Sequence, residues 1–166
     1  MIKIKIQPYI DKLNSSSVFH SFKEKNPNSY FSAGFFVLDF EHENNVHQID
    51  YFNPESKKII TFTLDRDVEM KEGEAVNESI PNKIEGNINL DLDVVKGLIE
   101  DEMKNQTITT KLQKIIAVIQ NIEGKKVWNL NCIATDMGLI KAHIDDETHS
   151  ILKFEKINLF DVVRKL

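Results

Sequence analysis

The sequence predicts an α+β fold built as two tandem units, each a helical region packed on a three-stranded antiparallel meander. Three observations carry that expectation. Segments 30–64 and 127–157 each break into three strand-like runs separated by polar turns. Residues at helical spacing precede each set. The stretch Asn53-Pro54-Glu55-Ser56-Lys57-Lys58-Ile59-Ile60-Thr61-Phe62 has a near-copy at Asp145-Asp146-Glu147-Thr148-His149-Ser150-Ile151-Leu152-Lys153-Phe154. Each copy is a polar turn carrying Glu and then Ser or Thr, followed by a strand with two aliphatics and a Phe. The expected units are residues 1–66 and 92–166, joined by an acidic linker over 67–91. A chain of 166 residues suffices for one domain, or two small ones, with a real core.

Taken in order, Ile2, Ile4 and Ile6 share one face of an extended run, which Gln7-Pro8 breaks. Pro8 suits the first turn of a helix, because its missing N–H would have had no partner there. Ser15, Ser16 and Ser17 offer caps for a second short helix carrying Val18, Phe19 and Phe22 at helical spacing. Asn26-Pro27 ends it. Residues 30–40 form the strongest strand. Phe31, Ala33, Phe35 and Val37 lie on one side and Phe36, Leu38 and Phe40 on the other, so both faces are expected to be covered. Strands at 46–52 and 57–64 complete the first meander.

Residues 65–91 are acid-rich, with a short strand conceivable at 83–90. Asp91 is positioned to cap a helix running to 104, with Leu92, Val95, Leu98, Ile99 and Met103 on one side. Leu112, Ile115, Ile116 and Ile119 follow the i, i+3, i+4, i+7 template and predict another helix over 107–121, with Gly124 just past its end. In the strand at 127–135, Trp128, Leu130, Cys132 and Ala134 should point inward and Asn129 and Asn131 outward. Strands at 139–144 and 150–157 follow, and Asn158 would cap a last helix over 159–166.

Composition narrows function. A net charge of −5, with no basic run longer than Lys57-Lys58 or Lys125-Lys126, disfavours nucleic acid as a partner. The single Cys132 excludes an intramolecular disulfide. The amino-terminal residues lack the apolar core of a secretion signal, and no run approaches the ~20 apolar residues of a membrane helix. A soluble cytoplasmic protein without membrane partners is the expectation.

The helix, the three strands and the turn of the form Asp-x-Glu-Thr-x-x-Ile-Leu resemble the PepSY family. The matching residues are Asp145, Glu147, Thr148, Ile151 and Leu152, preceded by Val127-Trp128-Asn129-Leu130. The first half matches through Asn53, Glu55, Ser56, Ile59 and Ile60. His149 and Lys57 stand where that family usually has Gly. The resemblance implies a helix packed on an antiparallel sheet, somewhat cystatin-like, and a non-catalytic binding or inhibitory role.

Few residues point to chemistry. His143, Asp145, Glu147 and His149 share parity, so an extended segment would gather them as zinc-type ligands, whereas a hairpin turn would splay them into water. Glu41, His42, Glu43 and His47 read as a solvated loop, and Cys132 as core beside Trp128. No phosphate-cradling glycine loop or catalytic triad is present, and no cofactor is implied. The leading expectation is a non-catalytic module binding a protein or peptide. Phe36, Leu38 and Phe40 are its candidate interface, and a second copy of the chain is one candidate partner. The alternative is a small-ligand binder or enzyme with a pocket between helix and sheet, its polar groups drawn from His20, Tyr51 and His143.

Overall fold

The computed structural model describes residues 5–158. Ile2 and Ile4 of the expected extended run, and the terminal helix expected at 159–166, lie outside them; Ile6 is described, and its backbone is already helical at the start of the first helix (φ −84°, ψ −37°). Among the described residues the fold is α+β, with three helices and one open eight-stranded antiparallel sheet rather than two separate three-stranded meanders. In chain order the elements are α1 (Gln7–Asn14), α2 (Ser17–Lys25), β1 (Tyr30–Asp39), β2 (Val46–Asn53), β3 (Lys58–Thr63), β4 (Glu69–Ala75), α3 (Leu92–Asn105), β5 (Leu112–Ile122), β6 (Lys125–Ala134), β7 (Gly138–Asp145) and β8 (Ile151–Asn158). Across the sheet the strands run β4-β3-β2-β1-β5-β6-β7-β8. The halves therefore join through β1 and β5, with Ala33 opposite Gln120 and Asp39 opposite Lys114.

Local chemistry explains the element ends. Pro8 sits in the first turn of α1 as expected. The Ser16 hydroxyl accepts from the Phe19 amide at 3.2 Å and caps α2. Asp91 precedes α3 without capping it; its carboxylate accepts instead from the Ile6 amide at 3.3 Å. The β5–β6 hairpin turns on Glu123 (φ 52°) and Gly124 (φ 87°), the pair of positive φ angles that a two-residue type I′ loop demands. Gly124 thus ends a strand, not a helix.

Two segments depart from expectation. Residues 107–121 supply strand β5, not a helix. Ile115, Ala117 and Ile119 are fully buried on one face while Ile116 and Val118 take the other. With apolar side chains on both faces of a central strand, period 2 disappears and a helical template fits by accident. The supposed linker contains edge strand β4, whose side chains are all exposed.

The three helices cover one face of the sheet. Phe36, Leu38, Phe62, Ile115, Ile119, Trp128, Leu130 and Ile140 lie fully buried there among Phe22, Leu92, Val95 and Ile99. Trp128, Leu130, Cys132 and Ala134 do point inward, with Asn129 and Asn131 half-buried opposite. Gly34 is required by its neighbour: a Cβ there would lie 2.8 Å from Phe36 Cε2 and 3.0 Å from Ile119 Cγ2. Gly34→Ala should therefore cost about 1–3 kcal/mol through overpacking, read as a lower midpoint in urea unfolding. An unchanged midpoint would mean the Phe36 ring can swing away.

The paired turns repeat almost bond for bond. Asn53 Oδ1 accepts from the Glu55 amide at 3.0 Å and the Asn53 carbonyl from the Lys57 amide at 2.8 Å. Asp145 Oδ1 accepts from the Glu147 and Thr148 amides at 2.8 and 3.0 Å, and its carbonyl from the His149 amide at 2.9 Å. Ser56 Oγ and Thr148 Oγ1 each accept from the amide two residues on, both at 3.3 Å. Lys57 and His149 both hold positive φ, 59° and 64°.

Candidate functional site

Among the described residues no helix lies over the opposite face of the sheet, although Phe52, in phase with Gln48 and Asp50, is buried there. Strand register lays out its surface in rows. One runs Thr63, Gln48, Phe35, Val118, Asn129, His143, Lys153. The next runs Val46, Val37, Ile116, Asn131, Lys141, Glu155. Phe35, Val37, Ile116 and Val118 thus meet at the β1–β5 join as a half-buried apolar patch. Val46, Gln48, Asn129 and Asn131 flank it; Lys141, Lys153 and Glu155 bring charge toward β8, and Asp50 and Lys71 bring it on the β2–β4 side. The expectation that both faces of residues 30–40 would be covered therefore holds for one face only.

Asp50 sits on the same face, between Ala33 and Thr61. Burial pushes its carboxyl above the ordinary value; the Thr61 hydroxyl, donating to Oδ1 at 2.7 Å, pulls the other way. The folded state then holds the proton more tightly than the unfolded chain. Ionisation costs stability: the cost is absent below the unfolded value near 3.8 and accumulates as pH rises through the raised folded value. Asp50→Asn keeps the acceptor for Thr61 and removes that cost. Its thermal midpoint should exceed that of the parent near pH 7, with the gap closing near pH 3. A gap that persists at the lower pH contradicts the assignment.

One end of the sheet is sealed by residues 76–91. Tyr30 Oη donates to the Pro81 carbonyl at 2.6 Å, the Ile84 amide to the Phe31 carbonyl at 2.9 Å, and Asn121 Nδ2 to the Lys83 carbonyl at 2.6 Å. The run ends on Asp146, which is fully buried. Asp146 Oδ1 accepts from Trp128 Nε1 at 2.9 Å and the Leu90 amide at 3.0 Å; Oδ2 accepts from the Asn89 amide at 2.8 Å. Lys126 Nζ lies 3.7 Å away.

The residues expected to form sites are not brought together. Phe36 and Leu38 are fully buried beneath the helices, and Lys96 Nζ from α3 lies 4.5 Å from the centre of the Phe40 ring. The chain's own helices cover Phe36 and Leu38, whereas Phe40 stays half-buried under Lys96. Alternation hands the outer face to Phe35 and Val37 instead. His20 is exposed, its Nε2 2.6 Å from the Asn14 carbonyl. Tyr51 packs edge-on against Phe19, Phe22 and Phe62 on the helix side. His143 projects from the opposite face, beside Asn129 and Lys153. The trio spans both sides of the sheet and lines no common pocket.

The quartet His143, Asp145, Glu147 and His149 is likewise dispersed. The Asp145 carboxylate is taken up by turn amides, chiefly those of Thr148 and Glu147, which also hold its pKa below the usual value. Glu147 and His149 face solvent. Among the described residues, no group of three or more His, Cys, Asp or Glu side chains is arranged to hold a metal.

His47, expected in a solvated loop, is buried. Its Nδ1 lies 2.7 Å from Asp65 Oδ1, its amide donates to Oδ2 at 2.9 Å, and its ring stacks on Tyr9 at 3.8 Å. The alternation of Val46-His47-Gln48-Ile49 carried that signal. Desolvation pushes the Cys132 thiol up to about 12, consistent with a packing residue. A concavity of about 630 Å³ lies elsewhere, between the end of α3 and the start of β5.

No protein-family model matches the sequence, and no curated protein matches it. No helix among the described residues is long and apolar enough to cross a membrane. The fold itself is shared: the chain is similar to the crystal structure of a "putative lipoprotein" from Clostridium difficile 630, at TM-score 0.58 and 14% identity over 95% of each chain.

Proposed function

We propose that this protein is a non-catalytic binding module that engages a protein or peptide partner across the uncovered face of its sheet. The observation that carries the reading is the half-buried apolar patch of Phe35, Val37, Ile116 and Val118 where β1 meets β5, with the polar side chains of Gln48, Asn129 and Asn131 beside it. An apolar centre within a polar rim is the usual anatomy of a recognition surface. The packed core behind the sheet holds these side chains in place before binding, which reduces the ordering cost. The resemblance to PepSY proteins implies the same kind of role. The test compares the wild type with Phe35→Asp and Ile116→Asp as baits in lysate of the source organism. A partner held by the wild type and lost by both variants supports the reading, provided amide exchange in the complex slows on β1, β5 and β6. Equal capture by all three baits, or protection confined to the helix side, overturns it.

A further inference from the structure

We infer a second binding site, independent of the sheet face: the cleft between the end of α3 and the start of β5 takes a small amphiphile with an anionic head, a free long-chain carboxylate. The cleft measures about 630 Å³, within the range of small-molecule sites. Its floor is apolar, with Met103 buried and Phe40, Ile108 and Leu112 half-buried.

Its walls are cationic. Lys96, Lys104 and Lys111 line it against one acid, Glu100, which lies 3.9 Å from Lys96 Nζ. Three ammonium groups against one carboxylate make this a positive spot on a chain whose net charge is −5. Lys96, Glu100 and Lys104 recur every fourth residue, so α3 presents them along one face. Lys96 already lies over the Phe40 ring, 4.5 Å from its centre. Lys104 and Lys111 make no ion pair within 4.0 Å among the described residues. A carboxylate held by these two, with its alkyl chain along Met103, Ile108 and Leu112, would satisfy both halves of the cleft.

The way α3 ends shapes the lip. The Ile108 amide donates to the Met103 carbonyl at 2.8 Å and the Thr107 amide to the Lys104 carbonyl at 3.1 Å, the bond pair of a Schellman ending. That motif needs a left-handed residue, normally Gly; here it is Thr107 at φ 55°. A β-branched residue in this region is strained, and it sits on the wall of the cleft.

The experiment titrates the full chain with decanoate, decyltrimethylammonium and acetate, following amide shifts by NMR. Decanoate should shift amides within residues 96–112 and bind at least ten-fold more tightly than either of the other two. The double variant Lys104→Gln, Lys111→Gln should weaken decanoate at least ten-fold while its thermal midpoint and the rest of its amide spectrum stay put. Lys153→Gln, on β8, should bind like the parent. The cationic amphiphile or acetate binding as tightly as decanoate overturns the inference, as does a double variant that binds decanoate normally. So does a chain that ignores decanoate but pellets with phosphatidylglycerol vesicles, or that responds at these amides only to an oligoglutamate peptide.

Discussion

Asp146→Ala is expected to cost the fold about 3–5 kcal/mol, the scale seen when one partner is removed from a buried charged network. Three donors converge on this carboxylate: Trp128 Nε1 and the amides of Asn89 and Leu90. All three would be left without an acceptor, and the nearby Lys126 ammonium would lose its countercharge. The loss is a large part of the 5–15 kcal/mol by which domains are ordinarily stable. Asp146→Asn retains one acceptor oxygen and should cost less. Denaturant unfolding monitored by Trp128 fluorescence reads the loss at its own site. A loss under about 1 kcal/mol for the alanine variant would mean that water replaces the carboxylate and that residues 76–91 are held by other contacts.

Phe35→Asp is expected to weaken partner binding at least a hundred-fold, about 2.7 kcal/mol, while leaving the protein folded. Phe35 stands in the central strand between Gln48 and Val118, on the face away from the helices. Its ring contributes apolar area to the proposed surface, and a carboxylate there would be desolvated by any apolar partner. In the free protein the same carboxylate remains accessible to solvent, so the stability cost should be far smaller than the binding cost. Phe35→Thr separates the two effects, since Thr suits a strand but offers little apolar area. Its binding should fall between the other two, measured by calorimetry against the captured partner. Binding by Phe35→Asp within three-fold of the parent would exclude this face.

What could be read in the sequence depended on asymmetry. β6 was legible because Asn129 and Asn131 separate Trp128, Leu130 and Cys132, and the structure puts the two sets on opposite faces. The twin turns were legible because Asx and Ser/Thr side chains write their own hydrogen bonds. β5 was not, because a central strand with apolar side chains on both faces has no period. The β-branched run Ile115-Ile116-Ala117-Val118-Ile119 was the better guide, given the strand preference of such residues. β4 escaped because an exposed edge strand such as Glu69-Met70-Lys71-Glu72 has no buried side to imprint a pattern. Phe36 and Leu38, expected on an exposed face, are buried: the run from Phe35 to Leu38 is apolar throughout, and which alternate set faces the helices is decided by elements far away in sequence. The lysine cleft lies almost wholly within residues 96–112, but reading a helix over 107–121 hid the turn between α3 and β5 that opens it.

The join between β1 and β5 also has a consequence for biosynthesis. On its β5 side, Ala33 is paired with Gln120 and Asp39 with Lys114. While the ribosome is still making α3, the inner flank of β1 has no neighbour and Phe36 lacks the indole of Trp128 against which it finally rests, 5.8 Å away. A nascent amino-terminal half is therefore an unfinished sheet with a sticky edge, and such edges invite wrong pairings. Maturation must wait for the carboxy-terminal hairpins, and long-range closure of this kind is slow.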